Sequence, residues 1–303
     1  MASESKVKKS EEEYREKLFQ QMLVPPGKKI DLKRGYDPGF SVEMTKPEAA
    51  AVLREGIKEL AELESKLYAQ NTYALLIIFQ AMDAAGKDSA IKHVMSGLNP
   101  QGCQVFSFKG PSVEELNHDY LWRCVKALPE RGRIGIFNRS YYEEVLVAKV
   151  HPEILEKQKL PPKYKEKGIW KRRYEEINNF EKYLVQNGTV VLKFFLNVSK
   201  KEQKKRFLER IEMPAKNWKF STNDCKERAY WKDYMDAYED MFNHTSTPWA
   251  PWVIVPADDK WFTRLAVAQG IYRTMKRLDL AYPTVSGEHR LELEKARAIL
   301  EQE

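Results

Sequence analysis

Tyr73-Ala74-Leu75-Leu76-Ile77-Ile78-Phe79-Gln80-Ala81-Met82-Asp83-Ala84-Ala85-Gly86-Lys87-Asp88 is the stretch from which the fold can be read. Its first eight residues form a short continuous apolar run, the pattern of a strand buried on both faces of a parallel sheet. The next seven, Ala81 to Lys87, have the make-up of a phosphate-binding loop between a strand and a helix. Backbone N–H groups at a helix N-terminus attract phosphate oxygens, and the lysine adds a full positive charge. The match to GxxxxGK followed by Ser or Thr departs at two places. Ala81 stands for the first glycine, and Asp88 stands where a hydroxyl would meet magnesium, with Ser89 one place later. Asp83 sets a carboxylate beside bound phosphate. That arrangement needs a metal ion or a proton between the two, so Asp83 is a candidate magnesium ligand.

Working outward, similar apolar runs occur at Gln104–Phe108, Ile134–Asn138, Val190–Val198 and Trp252–Pro256. Between them lie segments of helical period at Lys87–Leu98, Val113–Leu128, Tyr141–Val150, Ile169–Gln186 and Lys200–Ile211. Strand and helix in alternation predict an α/β fold with a parallel sheet covered on both sides. Ahead of the first strand, Lys46–Gln70 reads as a helix with Pro47 in its first turn and an apolar stripe at Leu53, Ile57, Leu60 and Leu63. Residues 1–45 read as an arm, with a short helix near Glu11–Met22 and then too many Pro and Gly for a long element. The helical stretch Asp224–Asn243 has no strand between it and the preceding helix. It reads as an insertion over the strand ends, where open α/β sheets bind ligands. Lys260–Leu278 is a late helix, and Ser286–Gln302 a charged C-terminal one.

Composition excludes several classes. Thirteen Phe, 15 Tyr and 7 Trp in 303 residues rule out a disordered chain despite 31% charged residues. No run reaches the roughly 18 apolar residues of a membrane span. The polar start MASESKVKKSEEEYREK lacks the apolar core of a secretory signal. Cys103, Cys124 and Cys225 are odd in number and form no CxxC pair, which argues against disulfides or structural zinc and for the cytoplasm. The net charge of +7 is concentrated: residues 169–235 hold 16 basic and 9 acidic side chains, an excess of seven. This is either a solvated helical surface or a track for a polyanion. The five histidines, His93, His118, His151, His244 and His289, show no ligand spacing. The stripe Tyr230, Trp231, Tyr234 and Tyr238 reads as lid packing rather than base stacking.

A second motif, Phe137-Asn138-Arg139-Ser140-Tyr141-Tyr142-Glu143-Glu144, closes the third strand. Arg139 is expected at the strand's C-terminal edge beside Lys87, with Glu143 and Glu144 in the first turn of the next helix. Ser140 as N-cap with Glu143 three places on also spells a capping box.

These residues carry a resemblance. FQAMDAAGKD, GLNPQG, HDYLWR, FNRSYYEEVLV, LKFFLNVSKKEQKKRF, NWKFSTNDCKERAYWKDY and APWVIVPADDKWFTRL together resemble polyphosphate kinase family 2, and within it class III, over about Asp31 to Val285. The resemblance implies a thymidylate-kinase-like P-loop core in residues 46–285 with a helical lid at about 216–245, and the charged C-terminal helix in 286–303 lies beyond it. The resemblance also implies transfer of a phosphoryl group from inorganic polyphosphate to AMP and ADP, giving ADP and ATP, with Mg²⁺, or Mn²⁺ in its place, as cofactor. Catalysis would fall to Asp83, Lys87, Arg139 and Glu143, with Asp83 and Glu143 holding the metal. Phosphate and polyphosphate would meet Ala84, Ala85, Gly86, Lys87, Asp88 and Ser89, continuing over Arg206, Arg210, Lys219 and Arg228. Asn99, Phe108, Lys109, Asp119, Arg123, Asn138 and Glu144 would serve the nucleotide. Asp119 and Arg123, four apart, are equally placed for an ordinary ion pair. Class I members, which take diphosphates, have Asp at the position of Asn138 and Asn at that of Glu143, so the acidic group here is displaced as in AMP-accepting members.

The expected partners are thus the polymer and adenine nucleotides, with no specific nucleic acid, no membrane, and a homo-oligomeric assembly. Two rivals stand beside this reading: an ATP-dependent nucleoside monophosphate kinase, and a non-enzymatic nucleic-acid-binding protein using the same charge.

Overall fold

The computed structural model of the chain describes residues 16–166 and 168–302. Five strands, β1 (Ala74–Gln80), β2 (Cys103–Ser107), β3 (Ile134–Asn138), β4 (Thr189–Asn197) and β5 (Trp252–Pro256), form one parallel sheet in the order β2-β3-β1-β4-β5. All seven residues of β1 are buried, as its unbroken apolar run requires of a central strand covered on both faces. β2 differs from the expectation of a doubly buried strand. It is the sheet's edge, and Gln104, Val105 and Ser107 are exposed.

The helices of eight residues or more among the described residues are α1 (Lys46–Gln70), α2 (Lys87–Val94), α3 (Ile169–Gln186), α4 (Lys200–Glu212), α5 (Thr222–Ala229), α6 (Trp231–Thr245), α7 (Lys260–Lys276) and α8 (Gly287–Leu300). α1 starts where its sequence says it should: Thr45 and Glu48 form a reciprocal capping box, with Pro47 in the first turn. α7 packs on both α1 and α2, while α3 packs on α6 and on β4, so the two groups cover the sheet. The close approach of α7 depends on Gly270, where a Cβ would lie 2.8 Å from the Phe194 ring. The chain at 16–22 is helical, whereas the rest of the Glu11–Met22 helix lies outside the described residues. Phe19, Met22 and Val24 are buried, and the Val24 N–H donates to the Trp252 carbonyl (2.9 Å), which lays the arm along β5. Every described residue of α8 is exposed.

Three predicted helices are not continuous. Val113–Leu128 is instead a short 3₁₀ turn at Glu115–Asn117 and a single helical turn at Trp122–Val125. The Asp119 carboxylate accepts from the Leu121 N–H (2.9 Å), a local bond that competes with helix continuation. Tyr141–Val150 opens as a 3₁₀ turn, Tyr141–Val145, before one turn of helix. The inserted helical stretch divides at Tyr230 into α5 and α6.

Candidate active site

The phosphate loop and the Arg139 segment leave adjacent strands at the same edge of the sheet, because β1 and β3 are parallel neighbours. The loop turns through two left-handed residues, Ala84 (φ 60°) and Gly86 (φ 111°), and Gly86 caps α2. Only glycine adopts the second of these without strain. Arg139 is also left-handed (φ 66°), which is costly for an arginine, and its N–H is fixed to the Phe79 carbonyl at 3.0 Å. That backbone turn aims the guanidinium back across β1, where Nη2 donates to Asp83 Oδ1 at 3.1 Å. Lys87 Nζ donates to the loop's own Ala81 carbonyl at 2.9 Å. Asn138 Nδ2 donates to Asp88 Oδ1 (2.7 Å), so the residue ending β3 holds the first turn of α2.

The charges at this edge perturb one another. Burial lowers the Lys87 ammonium below its ordinary value, although Asp83 and Glu143 pull the other way. Burial also raises the Glu143 carboxyl, against the opposing pull of Arg139 and Lys87. For Arg139, burial is outweighed by Glu143 and Asp83, and the guanidinium is held more firmly charged. Glu143 is thus within electrostatic reach of Asp83, Lys87 and Arg139. The expected capping box is absent: the Ser140 hydroxyl accepts from Tyr142 N–H at 3.2 Å, and Glu143, in the 3₁₀ turn that follows, lines neither the cavity above the loop nor its neighbour.

Above the loop is an open cavity of about 770 Å³. Of the residues singled out in the sequence, Asp83, Ala84, Ala85, Gly86, Lys87, Asp88, Ser89, Phe108, Lys109, Asn138, Arg139, Arg206, Arg210 and Lys219 line it. Arg206 does so in an unexpected way. All its donors are used inside the chain: Nη1 to the Ala84 and Ala85 carbonyls (3.0 and 2.8 Å), Nη2 to those of Ala257 and Asp258 (2.7 and 2.9 Å), and Nε to Glu202 (2.9 Å). It braces the loop from beneath. Arg228 does not reach the cavity wall. It donates to the Lys200 carbonyl and to Gln203 Oε1 (2.8 and 2.7 Å), and Gln203 in turn donates to the Asp83 carbonyl at 3.0 Å.

A neighbouring cavity of about 580 Å³ holds Asp119, Arg123 and Glu144. Arg123 joins the two cavities, donating to the Lys109 carbonyl (2.7 Å) with its guanidinium 5.5 Å from the Phe108 ring. No Asp119–Arg123 ion pair forms; Arg123 lies 3.6 Å from Glu115 instead. Asn99 is apart from both cavities. It precedes β2, so it lies at the opposite edge of the sheet, where its side chain caps a 3₁₀ turn.

Seven further residues line the wall without having been singled out in the sequence: Ser107, Glu209, Lys216, Trp218, Asp224, Lys260 and Arg264. Lys260 and Arg264 open α7 one turn apart at the same sheet edge, and Arg264 donates to Ser89 Oγ at 3.0 Å. Their signal was two basic residues four apart, just after the last strand. Trp218, 78% exposed, and Asp224 come from the inserted segment, and burial and then Asp83 raise the Asp224 carboxyl. Among the described residues, no group of three or more His, Cys, Asp or Glu is arranged to hold a metal, and no helix is long and apolar enough to cross a membrane.

A phosphate loop facing a cationic cavity at the carboxyl edge of a parallel sheet is the architecture of a P-loop phosphotransferase. The comparisons narrow this class. The chain belongs to the polyphosphate kinase 2 family, whose model, Polyphosphate kinase 2 (PPK2), matches residues 43–282. It is 52% identical over 281 residues to an ADP-polyphosphate phosphotransferase of Rhodopseudomonas palustris, covering 91% of this chain and 96% of that one. It is 40% identical over 265 residues to an AMP/ADP-polyphosphate phosphotransferase of Meiothermus ruber, covering 86% and 94%. The crystal structure of polyphosphate kinase 2 from Arthrobacter aurescens superposes with a TM-score of 0.83 at 40% identity, covering 93% and 95%.

Proposed function

We propose that this enzyme transfers the terminal phosphoryl group of inorganic polyphosphate to AMP and to ADP. The observation that carries the donor side is the wall of the 770 Å³ cavity, where Lys109, Arg210, Lys216, Lys219, Lys260 and Arg264 surround the loop from four separate segments. A wall of point charges without a shaped apolar slot suits a polymer of identical units. The acceptor enters from the neighbouring cavity past Arg123, and its phosphate meets the donor between Lys87 and Arg139. Asn99 and Arg228 take no part in substrate contact in this reading.

The attacking oxygen of a nucleotide phosphate is already anionic near neutral pH, so no side chain must remove a proton. The obstacle is repulsion between two polyanions, and catalysis consists of alignment and charge neutralisation. Lys87 leaves the Ala81 carbonyl for a donor phosphate oxygen, and Arg139 stays on Asp83 while facing the transferring group. Asp83 and Glu143 would hold a Mg²⁺ ion, a cation commonly bound by one or two carboxylates beside substrate phosphates. When bound, the ion would offset charge on both polyanions. Glu143 beside the loop, with Asn138 at the strand end, supports AMP as an acceptor besides ADP. The exposed Leu291, Leu293, Ile299 and Leu300 of α8 support a homo-oligomer. The test is donor exchange with AMP as acceptor: polyphosphate sustains ADP formation, whereas an ATP-dependent kinase needs ATP.

A further inference from the structure

Behind the site lies a buried polar cluster that the transfer reaction itself does not use. Lys193, in the middle of β4, and Glu181, on α3, are both fully buried, with Nζ 2.7 Å from Oε2. Glu181 Oε1 accepts from the hydroxyls of Tyr141 (2.9 Å) and Tyr142 (2.7 Å). Lys193 Nζ donates further to the Tyr142 hydroxyl (2.8 Å) and to the carbonyl of Thr245 (2.8 Å), the last residue of α6. Tyr142 thus accepts from the ammonium and donates to the carboxylate, while its ring packs edge-on against Trp252 at 4.7 Å. The residue after Tyr142 is Glu143.

Buried ion pairs of this kind are weak sources of stability, because well-packed apolar residues often serve the fold as well or better. What the cluster supplies is direction. The 3₁₀ turn leaves β3 through a strained Arg139 and has no long helix to hold it. Two consecutive tyrosine hydroxyls on one carboxylate oxygen fix its roll, and Lys193 ties the same point to the end of α6. We propose that Tyr142, held by Glu181 and Lys193, is a positioning residue that fixes the placement of the Glu143 carboxylate. The inference rests on the role given to Glu143 above.

A double-mutant cycle in kcat with polyphosphate and AMP tests it. Tyr142→Phe lowers kcat about tenfold, the scale of a small misplacement of a reacting group. Its circular dichroism stays native, and KM for polyphosphate stays within about twofold because the cationic wall is untouched. With Glu143→Gln already present, adding Tyr142→Phe changes kcat by less than about twofold, the signature of two residues acting through one interaction. An undiminished loss in that background would overturn the positioning role while leaving Glu143 its own. If Glu143→Gln alone leaves kcat at the wild-type level, the assignment of Glu143 fails first, and the inference with it. Should Tyr142→Phe not fold, Tyr141→Phe enters the same cycle, since it frees the same oxygen of Glu181 from the same turn; its loss must vanish in the same background.

Discussion

At the residue scale, the site is a set of four charges, and burial with mutual attraction shifts three of them: Lys87 down, Glu143 and Arg139 up. Lys87 follows the loop glycine, opens α2 and is half-buried, so its removal touches little of the core. Lys87→Ala should keep the fold and cut transfer at least about a hundredfold, corresponding to about 3 kcal/mol of lost transition-state stabilisation. Initial rates of ATP formation with polyphosphate check this, and near-normal turnover would contradict the loop assignment. Glu143 makes the opposite kind of prediction, about stability. Burial holds its folded-state pKa above the unfolded value, so folding is favoured more when the carboxyl is protonated. That advantage is complete below the unfolded carboxylate pKa and is lost as pH rises through the raised folded value. At neutral pH the charged Glu143 is therefore a burden on stability. Glu143→Gln should raise Tm at pH 7 and lose that gain as pH falls below the ordinary carboxylate range, a trade-off common at functional sites. A variant less stable than wild type at pH 7 would contradict the sign.

At the element scale, what holds the loop is α4. Arg206 gathers the Ala84 and Ala85 carbonyls of the loop with the Ala257 and Asp258 carbonyls after β5. Arg206→Ala would leave these acceptors and Glu202 without their partner, at a cost of about 3 kcal/mol or more, as for other broken buried pairs. A urea unfolding midpoint unchanged by the substitution would refute the brace. Nothing in the sequence distinguishes Arg206 from Arg210 one turn later, because which arginine is buried depends on how α4 meets β5. The loop itself was legible, since an apolar run, a small-residue turn and a lysine encode it locally. The walls at Lys260 and Arg264 were not: they stand more than 170 residues from the loop and meet it only because β4 and β5 are laid beside β1. Asn99 was misplaced for a reason the sequence does contain, because a residue preceding a strand of a parallel sheet lies at the edge opposite the loop. Two of the three broken helices, Val113–Leu128 and Tyr141–Val150, are interrupted where the Asp119 and Ser140 side chains bond to the backbone N–H two residues on, which periodicity does not record.

At the scale of the whole molecule, the sheet brings charge from distant segments to one edge, and function follows from that convergence. The segment 169–235 holds an excess of seven positive charges, yet only part of it, Arg206, Arg210, Lys216 and Lys219, reaches the cavity. These join Lys87, Lys109, Arg139, Lys260 and Arg264 from elsewhere in the chain. Affinity for polyphosphate should fall with salt more steeply than affinity for AMP, because many exposed cations meet the polymer and few meet one nucleotide phosphate. Isothermal titration across a salt series reads both slopes, and equal slopes would reduce the cationic wall to a solvated surface. The most direct test of the donor assignment is a time course of AMP, ADP and ATP with polyphosphate in excess, Mg²⁺ present, ATP omitted and any contaminating adenylate kinase inhibited. AMP should be consumed, ADP should rise first and ATP should follow, all at the expense of polyphosphate. No phosphorylation of AMP or ADP under these conditions, alongside transfer to AMP when ATP is supplied as donor, would contradict that assignment.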